Sequence, residues 1–175
     1  MAPLTAKAAG VRRIVVLGCA GAGKTTFARR LGERIGARHL CLDDLWGREL
    51  VPDDVPAFRT LMTDLHAGES WVSDGNYARA SFDLRLPRAH VAIWLERPRL
   101  ACAARAVRRT FRPGEAHTVQ RLPQALRFIW GFDRRNRPLI ESMIAELAPD
   151  LPVVRLKSDR QADDLIAAWN PPVSA

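Results

Sequence analysis

The sequence predicts an α/β fold of three layers, a five-stranded parallel sheet with helices on both faces. Two observations predict it. Short apolar, β-branched runs alternate with stretches whose apolar residues recur at helical spacing, and strands apolar along their whole length belong in parallel sheets covered on both sides. One strand–helix junction also carries Gly18-Cys19-Ala20-Gly21-Ala22-Gly23-Lys24-Thr25. That stretch fits G-x-x-x-x-G-K-[ST], the phosphate-cradling P-loop, and makes the expected architecture a P-loop NTPase fold.

The elements follow in order. Arg12–Leu17 reads as the first strand and Lys24–Ile35 as a helix, with Phe27, Ala28, Leu31 and Ile35 on one face until Gly36 stops the pattern. Arg38–Leu42 is a short second strand ending in Asp43-Asp44. Pro52-Asp53-Asp54 opens a helix with Phe58, Leu61, Met62 and Leu65 on one face, ended by Gly68. Ser70–Ser73 is the third strand, running into Asp74-Gly75-Asn76-Tyr77, and His90–Leu95 the fourth. An Arg-rich helix spans about 100–111 and is broken by Arg112-Pro113-Gly114. A longer helix starts near Pro123, with Leu126, Ile129, Trp130, Ile140 and Ile144 packed on the sheet, and Pro138 should kink or split it. Val153–Leu156 is the fifth strand, and Gln161–Trp169 the closing helix.

The whole of 1–175 reads as one domain, with ends at about 1–10 and 170–175 frayed and a small Arg-rich lid at about 105–122. No apolar run is long enough to span a bilayer, and the N-terminus lacks the apolar core of a secretory signal. Three cysteines without C-x-x-C spacing argue against a disulfide framework or a zinc site. A reducing cytoplasm is the expected compartment. Nothing in the sequence indicates an oligomeric state.

The loop's residue types fit an anion. Glycines permit backbone conformations in which successive N–H groups converge, and the helix that follows adds unpaired donors and partial positive charge. The expected ATP site is therefore Gly18, Ala20, Gly21, Ala22, Gly23, Lys24, Thr25 and Thr26, with Lys24 reaching the β- and γ-phosphates and Thr25 ligating Mg²⁺.

Ligands in such folds sit at the carboxyl ends of the strands. Asp43, Asp74 and Glu96 all fall at predicted strand ends. Asp74 is expected to hold Mg²⁺ with Thr25, and Asp43 to accept a proton from an attacking hydroxyl or to grip the acceptor. Glu96 could serve the site or only a local turn or cap. Asp44 reads as a local cap.

Charge points the same way. The chain is +8, yet residues 97–137 hold eleven arginines against Glu115 and Asp133, a net +9. Arg105, Arg108, Arg109 and Arg112 fall at i, i+3, i+4 and i+7, and four like charges on one helix face repel unless an anion lies against them. Arginines on a mobile segment can stabilise the charge of a transferring phosphoryl group. A nucleic-acid strand is the other polyanion that would suit them.

Several stretches together resemble the DNA topology modulation protein family, a branch of the adenylate-kinase-like P-loop kinases. They are GCAGAGKTTFARRLGERIG (18–36), HLCLDDLW (39–46), WVSDGNYAR (71–79), DLRLPRAHVAIWLERPR (83–99) and RFIWGFDRRNRP (127–138). The resemblance implies an ATP site at 18–26, an acceptor side at Asp74 and Asn76, a substrate-binding arginine at Arg79, and lid arginines at Arg105 and Arg109. Adenylate kinases follow Asp-Gly with an aromatic residue and proline, where this chain has Asn76-Tyr77. The resemblance therefore leaves the acceptor open.

The function expected is ATP- and Mg²⁺-dependent phosphoryl transfer to a small-molecule acceptor, with Lys24, Asp43, Arg105 and Arg109 catalytic and Asp43, Asp74, Asn76 and Arg79 facing the acceptor. The alternative is a nucleotide-gated nucleic-acid-binding protein, or a partner-regulated ATPase, that uses the basic 97–137 segment. It lacks any recognisable nucleic-acid-binding motif.

Overall fold

The first strand, β1 (Arg13–Gly18), is the most deeply buried element: Ile14, Val15, Val16 and Leu17 are inaccessible to solvent. An apolar strand of this kind needs a neighbour on each edge and a layer on each face. The computed structural model, which describes residues 10–48, 54–111 and 122–169, provides both. The strands β2 (Arg38–Cys41), β3 (Trp71–Asp74), β4 (Val91–Leu95) and β5 (Val153–Leu156) join β1 in the order β2-β3-β1-β4-β5. Every pairing is parallel. The register sets Val16 and Cys41 beside Asp74, and Gly18 beside Leu95, so the loop after β1 and the acid ending β3 emerge on one edge.

Seven helices complete the described residues: α1 (Lys24–Ile35), α2 (Leu42–Arg48), α3 (Val55–His66), α4 (Ala78–Arg85), α5 (Arg99–Thr110), α6 (Leu122–Leu147) and α7 (Asp159–Ala168). No described helix is long and apolar enough to cross a membrane. The main core joins the sheet to α1, α5, α6 and α7. A second, smaller core of Leu42, Phe58 and Met62 lies between α2, α3 and α4, with Trp46 and Tyr77 packed on it.

The sheet, its direction and most helices match the sequence reading. Four details differ. The chain turns helical at Leu42, so Asp43 and Asp44 stand in the first turn of α2, where their charge favours the helix N-terminus, and Asp43 is not at a strand end. Helix α4 escapes sequence analysis because its inward face includes Ser81 and Arg85 beside Phe82, which breaks the apolar period. Pro138 lies inside α6 without splitting it, since Ile129 and Phe132 on one side and Ile140 and Ile144 on the other anchor both halves. Trp130 turns outward and is 52% exposed, its place in the core taken by Phe132. The Arg112-Pro113-Gly114 break lies outside the described residues.

His66, at the end of α3, is buried with its ring edge-on to Trp71 at 4.7 Å and its Nδ1–H donating to the Met62 carbonyl at 2.8 Å. Burial drives its pKa down to about 4, helped by Arg85 and Arg88 and opposed by the Met62 hydrogen bond. The folded value lies below the unfolded value of about 6.5, so this contribution is intact above pH 6.5 and is lost as pH falls towards 4. Between pH 7 and pH 5 this one group should remove about 2 kcal/mol of stability. Urea denaturation at the two pH values should show that loss in the wild type and a shallower one in His66→Gln. Parallel slopes would contradict it.

Candidate active site

Gly21 and Gly75 frame the cleft, and neither position tolerates a side chain. Gly21 has φ of +77°, and a Cβ there would come within 2.3 Å of the Cys102 carbonyl oxygen on α5. Gly75 has φ of +118° and its Cβ would stand 2.9 Å from that of Leu42. Between them the loop closes on itself: Ala22 N–H donates to Cys19 O at 3.1 Å, and Lys24 Nζ donates to the same carbonyl at 3.0 Å. Helix α1 starts with no capping side chain and no acid in its first turn. By contrast, α3 and α7 are capped by Asp54 and Ser158. The loop helix thus keeps its N-terminal donors for an anion.

Asp74 meets this loop from β3. Its side chain is 1% exposed, and its Oδ2 accepts from the Thr25 hydroxyl at 2.7 Å while Oδ1 accepts from His39 Nε2 at 2.8 Å. A hydroxyl and a carboxylate in contact are a hard-oxygen pair suited to Mg²⁺, which takes its other ligands from water and phosphate. Among the described residues no group of three or more His, Cys, Asp or Glu side chains gathers as a metal cage. Mg²⁺ is held by one or two protein oxygens together with phosphate and water, and the Thr25 hydroxyl beside the Asp74 carboxylate fits that pattern.

The Gly75-Asn76-Tyr77 turn is held from both sides. Asn76 takes the Gly18 N–H on Oδ1 at 3.3 Å and gives Nδ2–H to the Gly18 carbonyl at 2.9 Å, so its amide braces the root of the loop. Beneath, Arg85 is fully buried and donates to the carbonyls of Gly75 and Asn76 and to Ser73 Oγ at 3.2 Å. Burial pulls its pKa down to about 9, opposed by the nearby Asp74 carboxylate. It therefore remains a cation at neutral pH. Tyr77 sits at φ of +35°, in the left-handed region, strain of about 1–3 kcal/mol for a residue with a side chain. Its ring packs 5.5 Å from Phe58 and 5.9 Å from Trp46.

A cavity of about 970 Å³ opens over the loop. Gly21, Gly23, Lys24, Thr25 and Thr26 form one wall, and Asp43, Asn76, Tyr77 and Arg79 another. Helix α5 contributes Arg105, Arg108 and Arg109. Arg105 reaches the Ala22 carbonyl at 3.5 Å and Asp159 at 2.5 Å, and Asp159 also pairs with Arg97 at 3.2 Å. The predicted residues are thus gathered around one space, with Asp74 buried beneath it. Glu96 is elsewhere: it accepts from Arg137 at 2.9 Å and from Arg155 at 2.5 Å, and both guanidiniums lie over Trp94. It is a structural ion-pair centre. Sequence reading assigned no role to His39, Arg85, Arg97 or Asn136, of which Arg97 and Asn136 line the cavity. All four lie in stretches that support the family resemblance, and Arg97 also opens the basic segment, but no spacing or motif singled any of them out.

Searches against family models and against curated proteins found no match. Solved structures do match. The fold is that of the P-loop kinases. A shikimate kinase from Acinetobacter baumannii, solved with shikimate, superposes with a TM-score of 0.61 at 20% identity over 93% of each chain. A gluconokinase from Sinorhizobium meliloti 1021 gives 0.54 at 18% identity, over 91% of this chain and 90% of that one. A sugar kinase from Janibacter sp. HTCC2649 gives 0.52 at 18% identity, over 91% and 94%.

Replacing Arg85 should leave the carbonyls of Gly75 and Asn76 buried without a donor. Arg85→Met is expected to destabilise the fold by about 3 kcal/mol in urea denaturation. Arg85→Lys should recover only part of this, because one ammonium cannot reproduce the planar fork. Full recovery by lysine would mean that charge alone matters here.

Proposed function

We propose that the protein is an ATP- and Mg²⁺-dependent kinase of a small, hydroxylated acceptor that itself carries negative charge. The observation that carries this reading is one cavity in which the phosphate loop, the Thr25–Asp74 pair, Asp43 and a row of arginines face each other. In the reaction, Lys24 and the loop amides hold the β- and γ-phosphates. Thr25 and Asp74 would hold Mg²⁺, whose chemistry is to neutralise charge on the phosphate oxygens. Asp43, exposed on the cavity wall, takes the proton as the acceptor oxygen bonds to the γ-phosphorus and the bond to the bridging oxygen of ADP breaks. Arg105 and Arg109 oppose the charge spread over the transferring group.

The charge of the acceptor follows from the lining. Seven cationic side chains line the cavity against three carboxylates. Arg30 pairs with Asp163, and Arg97 and Arg105 share Asp159. Among the described residues Lys24, Arg79, Arg108 and Arg109 have no carboxylate partner. Nucleotide phosphates fall to Lys24 and the α5 arginines. Arg79, exposed on the opposite wall beside Asn76 and Tyr77, is left for an anionic group on the acceptor.

The shikimate-bound kinase and the gluconokinase support the fold side of this reading, and the sequence stretches listed above support a place among the DNA topology modulation proteins. The nucleic-acid alternative has less support, because several arginines of the basic segment are turned to the cavity or to ion pairs, although Arg127, Arg134 and Arg135 stand exposed on α6. Arg97, Arg105, Arg108 and Arg109 line the cavity, while Arg99 and Arg137 pair with Asp133.

ADP release from Mg-ATP should be stimulated by carboxylated or phosphorylated polyols or by nucleotides more than by their uncharged counterparts. Lys24→Ala should abolish that turnover with the circular dichroism spectrum unchanged. Stimulation by duplex DNA alone would favour the alternative. With an acceptor in hand, Asp43→Asn should lower kcat by about a hundredfold or more while leaving the Kd for Mg-ATP nearly unchanged. Weakened nucleotide binding alone would move Asp43 to the metal.

A further inference from the structure

Asp74 has two carboxylate oxygens, and the proposed reaction uses one. Oδ2 accepts from the Thr25 hydroxyl at 2.7 Å, on the side of the phosphate loop. Oδ1 accepts from His39 Nε2 at 2.8 Å, a contact to which the reaction gives no task. Chemistry fixes the direction of that bond. An ionised carboxylate can only accept, so the proton of the contact sits on Nε2.

The fold brings the histidine to this place. Strands β2 and β3 run parallel, with Cys41 opposite Asp74 and His39 opposite Val72. Residues two apart on a strand share a face, so His39, Cys41 and Asp74 point to the same side of the sheet. Helix α1 covers that side, and its Gly32 comes so close that a Cβ there would stand 3.7 Å from the His39 Cβ. His39 is therefore held between β2 and α1, the helix that also supplies Thr25. Its side chain is 20% exposed, against 1% for Asp74. The imidazole closes the far edge of the carboxylate.

Engaging one oxygen changes what the carboxylate can bind. A carboxylate free at both oxygens can grip a cation with the pair, a mode that Ca²⁺ accepts within its large and flexible ligand sphere. Mg²⁺ is smaller, demands near-octahedral geometry and keeps several of its waters. With Oδ1 tied to His39, Asp74 presents only Oδ2 beside Thr25. We propose that His39 is a positioning residue that makes Asp74 a one-oxygen ligand and so selects Mg²⁺ over Ca²⁺ at the nucleotide site. It acts without touching the metal, by orienting the carboxylate and keeping it from rotating. The inference rests on the reading of Thr25 and Asp74 as the Mg²⁺ pair.

The test is calorimetry of ADP binding to the full-length protein, in EDTA, in saturating Mg²⁺ and in saturating Ca²⁺. In the wild type, Mg²⁺ should strengthen ADP binding more than Ca²⁺ does. His39→Phe keeps a ring and removes the donor. It should bind metal-free ADP as the wild type does, yet lose about tenfold or more of the Mg²⁺ enhancement, and with it the preference over Ca²⁺. His39→Gln, whose amide can reach the same oxygen, should recover most of both. If His39→Phe does not fold, His39→Asn takes its place, since its shorter side chain ends before Asp74. An unchanged ratio of Mg²⁺ to Ca²⁺ enhancement in His39→Phe would overturn the proposal. So would an equal loss of ADP affinity with and without metal, which marks a structural role alone, or a His39→Gln protein no better than His39→Phe. A wild type indifferent to Mg²⁺ would remove the metal reading itself, and that outcome is distinct because it appears before any substitution is made.

Discussion

The site depends on one buried carboxylate. Asp74 ends β3 with 1% of its surface exposed, and an isolated charge at that depth would cost far more than the fold can supply. It is therefore surrounded by groups that compensate it. Thr25 and His39 hydrogen-bond its two oxygens, and the buried cation Arg85 lies close enough to feel its charge. Each of these comes from a different element: α1, β2 and α4. Satisfying Asp74 thus fixes the loop helix, the second strand and the Gly75-Asn76-Tyr77 turn relative to one another.

Arg85 extends that constraint to the backbone. Its guanidinium faces the carbonyls of Gly75 and Asn76, and Asn76 in turn spans the Gly18 peptide. The two sides of the cleft, one from β1 and one from β3, are therefore joined through a short chain of polar contacts as well as through the sheet. The left-handed Tyr77 stands where this chain meets the small aromatic core of Trp46 and Phe58. A strained residue persists only where its surroundings over-determine it, and here a buried arginine on one side and two aromatic rings on the other do so. The result is a preorganised wall of the cavity.

Much of this was legible in the sequence because it rests on local patterns. The P-loop, the parallel sheet and the meeting of Lys24, Thr25 and Asp74 follow from a spacing motif and from the rule that ligands sit at strand ends, Arg105 and Arg109 from their shared helix face, and Arg79 from the family resemblance. What escaped depends on tertiary context. Arg85 and Ser81 face inward on α4, so a helix with a polar buried face carries no apolar period to detect. Glu96 ends a strand just as Asp74 does. Only the positions of Arg137 and Arg155, from α6 and β5, divert it into a structural cluster over Trp94. Trp130 and Phe132 are two residues apart, and only the packing of α6 decides which faces the core.

The basic segment shows how composition misleads until geometry divides it. A run of +9 over 97–137 looks like one surface for one polyanion. In the fold Arg127, Arg134 and Arg135 stand exposed on α6 and Arg99 pairs with Asp133, while the other described arginines of the segment fall into three populations. Arg97 and Arg105 brace the cavity through Asp159, Arg137 closes the Glu96 and Asp133 pairs, and Arg108 and Arg109 line the cavity with no carboxylate partner among the described residues. Arg108 and Arg109 lie three and four positions after Arg105 on α5, where like charges on one helix face repel unless an anion lies against them. An extended strand of nucleic acid would need the same charges spread along an outer face. Position beside the phosphate loop, more than the number of arginines, supports the small-ligand reading proposed above.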